Sequence, residues 1–197
     1  MILQTLVQLA VQTVLAPRDV ARLLLDARWG REALLTAFAL VVALNTLVYA
    51  AMAAILPQTS ATDQVIALSP LAFMVFLGGS VALAAIAITW VGRTTGGSAR
   101  LEDVGLLLIW LQGLRFVMQV ALILLGLVLP GAGVLLVVAV AIAGLWILVN
   151  FIDVAHGFDS LGKAAFVLFI SLLGAVVGLS ILLSLVGASS LGLSDYV

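Results

Sequence analysis

Five stretches of this chain, residues 33–56, 65–91, 104–129, 134–152 and 164–187, run almost unbroken in apolar side chains, with Arg115 the one charged residue among them. An α-helix rises about 1.5 Å per residue, so about 20 residues cross a hydrocarbon core about 30 Å thick. Each run has that length. Lipid offers no hydrogen-bond partners, so the N–H and C=O groups of a crossing segment must pair within the segment, which makes the runs helices. The expected fold is an all-α polytopic membrane protein with five transmembrane helices. Composition agrees: 65% of the 197 residues are hydrophobic and 9% charged, against about 45–50% and about 25% in soluble domains.

The breaks between runs are turn-forming or polar: 57–63, 92–100, the Pro130-Gly131-Ala132-Gly133 reversal and 153–163. Seven of the eight basic residues, Arg18, Arg22, Arg28, Arg31, Arg93, Arg100 and Lys163, fall in segments that five crossings place on one side; the eighth is Arg115. The positive-inside rule then puts the N-terminus in the cytoplasm and the tail, 188–197, outside. A missed or added helix would scatter these charges.

Residues 1–32 stand apart from the transmembrane domain expected over 33–187. Val20, Leu23, Leu24 and Ala27 follow helical spacing, while Arg18, Asp19, Arg22 and Asp26 point the other way. Pro17 is suited to open that helix. Upstream, Gln4, Gln8 and Gln12 form a polar stripe on a segment too short to span and too apolar for water. Two arrangements satisfy this: amphipathic helices lying in the cytoplasmic interface with Leu23 and Leu24 turned inward, or an apolar N-terminus packed directly on the bundle.

Catalytic constellations are missing from the pattern. There is no cysteine, and His156 is the only histidine. Set between Asp153 and Asp159, His156 reads as a polar loop residue rather than a metal ligand. No Asp or Glu lies well inside a span, so the paired carboxylates of intramembrane acid–base chemistry have no place to sit. The expectation is no catalytic residue, no metal, no cofactor, no enzyme activity and no nucleic-acid partner.

Arg115 carries the functional question. Gln112 and Gln119 lie three residues before and four after it, on the same helical face. Such a stripe is costly in lipid and by default faces the bundle interior or a partner. About 1.5 Å per residue from Asp103 places Arg115 about 18 Å deep, level with Asn45 and with no acidic residue in that layer. Either Arg115 bonds Asn45, Gln112, Gln119 and helix carbonyls as a structural group, or it meets an anion from another molecule, a lipid phosphate or a partner's carboxylate. Gly174 and Gly178 form a G-x-x-x-G, and Gly78-Gly79-Ser80 is a second small-residue stretch; both are expected at close helix contacts. No internal repeat of the kind found in secondary transporters is visible.

Several stretches, in this order and spacing, resemble the bacterial branch of the Ypt-interacting-protein (Yip) domain family of five-span membrane proteins. They are Pro17-Arg18-Asp19-Val20-Ala21-Arg22 before the first span, Gly96-Gly97-Ser98-Ala99-Arg100-Leu101-Glu102-Asp103 leading into the third, and Trp146 with His156-Gly157-Phe158 and Lys163-Ala164 at the junction of the fourth and fifth. The similarity runs from Pro17 to about Gly187. One departure is that family members often carry a proline in span three, where this chain has Arg115 and Gln119. Eukaryotic relatives are tied to small GTPases, vesicle traffic and membrane shaping; bacteria have no such GTPase traffic, so the resemblance implies fold and topology rather than a reaction. The expected function is a non-enzymatic protein of the bacterial inner membrane, an accessory subunit, assembly factor or scaffold. It would act by lateral association with membrane lipids and with other integral membrane proteins or copies of itself. The alternative is a small channel or transporter for an anionic or lipid-like solute, marked by a wet cavity reaching Arg115 as internal countercharge.

Overall fold

A computed structural model describes residues 2–55, 68–128 and 133–186. Among these residues the chain forms seven helices: α1 (Ile2–Leu15), α2 (Pro17–Asp26), α3 (Arg31–Ile55), α4 (Pro70–Thr94), α5 (Leu101–Val128), α6 (Gly133–His156) and α7 (Leu161–Val186). The last five are long and apolar enough to cross a membrane, with mean hydropathies from 1.9 to 2.7. The 57–63 break, most of the Pro130–Gly133 reversal and the 188–197 tail lie outside the described residues.

At one end of the bundle the helices outrun the apolar stretches. α3 starts at Arg31 and α5 at Leu101, α4 continues to Thr94, α6 to His156, and α7 starts at Leu161. A hydropathy count stops at the first polar residue, but the backbone ladder does not, because polar side chains can satisfy the helix ends themselves. Thr94 donates to the carbonyl of Val91 at 2.8 Å and Thr95 to that of Gly92 at 2.9 Å. The amide of Arg100 donates to the Asp103 carboxylate at 3.0 Å. At the opposite end, α4 opens on Pro70 behind Ser69, whose hydroxyl accepts from the Ala72 amide at 3.2 Å.

The five long helices close a ring in the order α3, α4, α7, α6, α5, with α4 and α5 also touching across it. One buried cluster joins four of them through Ile88 and Val91 of α4, Val104 of α5, Ile152 of α6 and Val167 of α7. A second is built around α2: Val20, Ala21 and Leu24 pack with Leu34 of α3, Leu106 and Leu107 of α5, and Ile147 and Phe151 of α6. Val20 and Ala21 are fully buried, whereas Leu23 is 54% exposed. Leu23 is therefore not turned inward with Leu24 as expected. At about 100° per residue it falls well off the stripe that Val20, Ala21 and Leu24 define, and that stripe is already filled. Arg22 is exposed beside it. Of the two arrangements open for the N-terminus, α2 takes direct packing on the bundle.

α1 meets the bundle through Leu9, which packs against the second cluster, and through Thr13. Thr13, fully buried, accepts from the Trp110 indole of α5 at 3.1 Å and donates to the Leu9 carbonyl at 2.7 Å. Gln4, Gln8 and Gln12 are exposed, and so are the adjoining Val7, Val11 and Val14.

Candidate functional site

Two places concentrate polar side chains. The first is the end of the bundle that carries α2 and the basic residues, where α6 stops. Gly157, at φ 65°, follows the last helical residue; its amide bonds the Val154 carbonyl at 3.3 Å and the Phe158 amide bonds the Asp153 carbonyl at 3.1 Å. These paired bonds satisfy the terminal carbonyls, and the left-handed backbone at Gly157 is what permits them. They also turn Phe158 back, so that its ring stacks on His156 with centroids 5.0 Å apart and planes within 8°.

His156 is 2% exposed. It is therefore not the solvated loop residue that the sequence led us to expect. Its Nδ1 lies 3.2 Å from the Ile152 carbonyl, which can only accept, so Nδ1 takes the donor role. The segment after α4 folds over the other side of the ring. A Cβ on Gly92 or on Gly97 would overlap ring atoms of His156. The Gly97 amide donates to the Gly92 carbonyl at 2.8 Å, and Gly96 has φ 93°, a turn suited to glycine. The Ser98 amide donates to the carbonyl of His156 at 3.2 Å, and Arg93 Nε to that of Ala99 at 2.8 Å. The glycine-rich loop and the His-Gly-Phe junction are thus two halves of one clasp.

Asp153, 3% exposed, lies one turn before His156. Its Oδ2 accepts from Arg18 of α2 at 2.6 Å and its Oδ1 from the Ser160 amide at 2.8 Å. One carboxylate therefore ties α2 to α6 and to the start of α7. Arg22 pairs only within α2, with Asp19 at 3.5 Å. A cavity of about 390 Å³ opens beside this pair, lined by Arg18, Arg22, Asp26 and Asp159 among others.

The second place is the middle of α5. Arg115 is 14 residues from Leu101 and 13 from Val128, about 20 Å from either helix end. Its side chain is exposed on the outside of the bundle, and among the described residues no hydrogen bond or ion pair reaches it. The expectation that it bonds Asn45, Gln112 or Gln119 is thus corrected: Val104 and Leu108 lie on the same helical stripe and are covered near the start of α5, but the cover does not extend along the helix to Arg115. Asn45 and Gln112 do meet, through the backbone. Asn45 Nδ2 donates to the Val41 carbonyl at 2.7 Å and to the Gln112 carbonyl at 3.3 Å. Asn45 Oδ1, Gln112 Oε1 and Gln119 Oε1 are buried without a partner among the described residues.

The glycines divide. A Cβ on Gly178 would come within 3.0 Å of Leu83, so α7 and α4 approach closely there; one on Gly78 would meet Phe38 at an ordinary 3.7 Å. Gly79 and Gly174 have nothing within 4 Å of such a Cβ. They mark no close approach among the described residues.

The family profile of the Yip1 domain matches residues 11–182. The chain belongs to the Yip1 domain family. The matched stretch begins inside α1 and ends inside α7, so the α2 arm belongs to the Yip1 domain as much as the five long helices do. So does the clasp between the glycine-rich loop and His156. The domain is a multi-span membrane fold, in keeping with the five long apolar helices here. Comparison with curated proteins gives no match, and comparison with solved structures gives none.

Proposed function

We propose that this Yip1 domain protein is a non-enzymatic component of the bacterial inner membrane that works by lateral association, as an accessory subunit, assembly factor or scaffold. Arg115 carries the reading. An arginine at the centre of a span costs about 2.5–3.5 kcal/mol on insertion scales, and among the described residues nothing offsets it. Its side chain is exposed, open to another membrane helix or a lipid headgroup, and no other described residue bonds it. Gln112 and Gln119 lie on the same helical face, but their amide oxygens are buried, which leaves the guanidinium as the exposed polar group. A helix bearing a carboxylate at similar depth would complement it. The channel alternative requires a wet path to Arg115, and the cavity beside Arg18 and Asp153 is not lined by it.

Arg115→Leu and Arg115→Gln should leave the melting temperature in detergent unchanged or raised, because no bond within the chain is lost. Proteins that cross-link to and co-purify with the wild type should disappear from both variants. Retention of the same partners by both variants would sink the reading, and so would a fall in melting temperature with no change in partners.

The N-terminus is proposed to be cytoplasmic, on the seven-to-none distribution of basic residues outside the spans. Reporters fused after Ser98 and after Asp159 should then read cytoplasmic and one at the C-terminus external. A cytoplasmic C-terminus is incompatible with five crossings from this start.

A further inference from the structure

Val104 and Leu108 of α5 share the first buried cluster with Ile152 of the neighbouring α6. Both stripes run on along their helices. Arg115 continues that of Val104 and Leu108, and Leu145, Ala141 and Val138 continue that of Ile152. Cover is lost along each: Leu145 is 58% and Val138 51% exposed, and Ala141 and Arg115 are exposed too. Arg115 and Ala141 each stand about 16 Å from the cluster along their helices. Two neighbouring helices are thus uncovered at one depth of the membrane, and the uncovered surface is apolar except for one guanidinium. An apolar helix suits the α6 stripe, and a carboxylate, which accepts paired hydrogen bonds from a guanidinium, suits Arg115.

Three sources of that anion differ in what they can deliver. A lipid phosphate lies outside a core about 30 Å thick, whereas Arg115 is near the middle of α5, about 20 Å from either end. Snorkelling closes only part of that gap. A second copy brings no carboxylate, because the sequence has no Asp or Glu within the five apolar runs. Two copies in the same orientation would set guanidinium against guanidinium at that depth, and like charges repel most strongly where the dielectric is low. A different membrane protein meets neither obstacle. A lone carboxylate at mid-membrane is costly in its own right, so pairing relieves both chains at once.

We propose that Arg115 pairs with a different polypeptide, a transmembrane helix that carries one Asp or Glu near its midpoint and seats against α5 and α6. This rests on the lateral association inferred above and rules out a second copy as the partner at Arg115.

The full chain, labelled with a donor dye, would be reconstituted in phosphatidylcholine vesicles with acceptor-labelled Leu-Ala helices of about 21 residues, bearing Asp, Asn or Leu at the centre. Energy transfer reads association. The Asp helix should bind about tenfold or more tightly than the Leu helix, the scale of one charge-assisted hydrogen bond, with Asn between them. Moving the Asp two turns toward either end should remove the advantage. Arg115→Gln should bring the Asp helix down to the Leu level, and Arg115→Glu should shift the preference to a helix with a central Arg. Ala141→Phe should weaken the Asp helix by occupying its seat; should that variant fail to fold, the charge exchange at Arg115 still tests the pairing. Equal transfer for the Asp and Leu helices, or an Asp advantage that survives Arg115→Gln, would overturn the pairing. Transfer between wild-type copies that disappears in Arg115→Gln would overturn the choice of a different polypeptide and leave lateral association through Arg115 standing.

Discussion

Alanine at Gly92 or Gly97 should cost the protein about 3 kcal/mol of stability, the upper part of the range for forcing atoms into a packed site. The new Cβ would occupy the position of the His156 ring. That ring cannot move aside easily, since it is 2% exposed and stacked on Phe158. Removing the obstacle should rescue the fold. His156→Ala combined with Gly92→Ala is expected to be more stable than the sum of the two single losses, by a coupling of about 1–3 kcal/mol. Melting of the four proteins in one detergent measures it. Strictly additive losses would show that the glycines are needed for some reason other than the imidazole.

Asp153→Ala should be nearly as damaging. Breaking a buried ion pair by removing one partner costs about 3–5 kcal/mol. Here Arg18 keeps 43% of its side chain in solvent, which lowers the expected loss to about 2–3 kcal/mol. The carboxylate also holds the Ser160 amide. Asp153→Asn keeps that acceptor and surrenders only the charge, so its loss should be about half. Because Arg18 is the polar tether of α2, protease cleavage in residues 1–30 should quicken in Asp153→Ala and in Arg18→Ala alike. Wild-type melting and unchanged cleavage in Asp153→Ala would refute this account of the carboxylate.

The five crossings were legible because length and hydropathy alone specify them, and because the basic residues check the count. The clasp was not legible. His156 and Asp153 look like loop residues when the apolar run ends at Ile152, and only the continued backbone ladder of α6 carries them into the interior. A signal was present: Gly157 followed by an aromatic residue is what a helix end needs if it folds back, and the glycines at 92 and 97 are spaced for a close approach. Leu23 and Leu24 were treated as equivalent because both are apolar, yet a helix of ten residues presents one stripe, and the difference of one position decided which is covered. Arg115 lies at the middle of its helix, as counting from Asp103 led us to expect, but the bonds expected to Asn45, Gln112 or Gln119 are not made. Depth follows from counting residues, whereas the direction of a side chain depends on which neighbours occupy the other faces of α5.

The connection between Arg18 and Asp153 spans 135 positions of sequence, and the buried surface that receives α2 comes from α5 and α6. During synthesis, then, the surface that receives α2 is incomplete until the fourth crossing, α6, supplies Ile147, Phe151 and Asp153. At about 5–20 residues per second that interval is on the order of ten seconds, during which Val20, Ala21 and Leu24 lack the part of their cover that α6 provides. The membrane surface is the only apolar phase within reach. The charged face of α2 opposite those residues suits a segment that must first rest on lipid and afterwards be drawn onto the finished bundle.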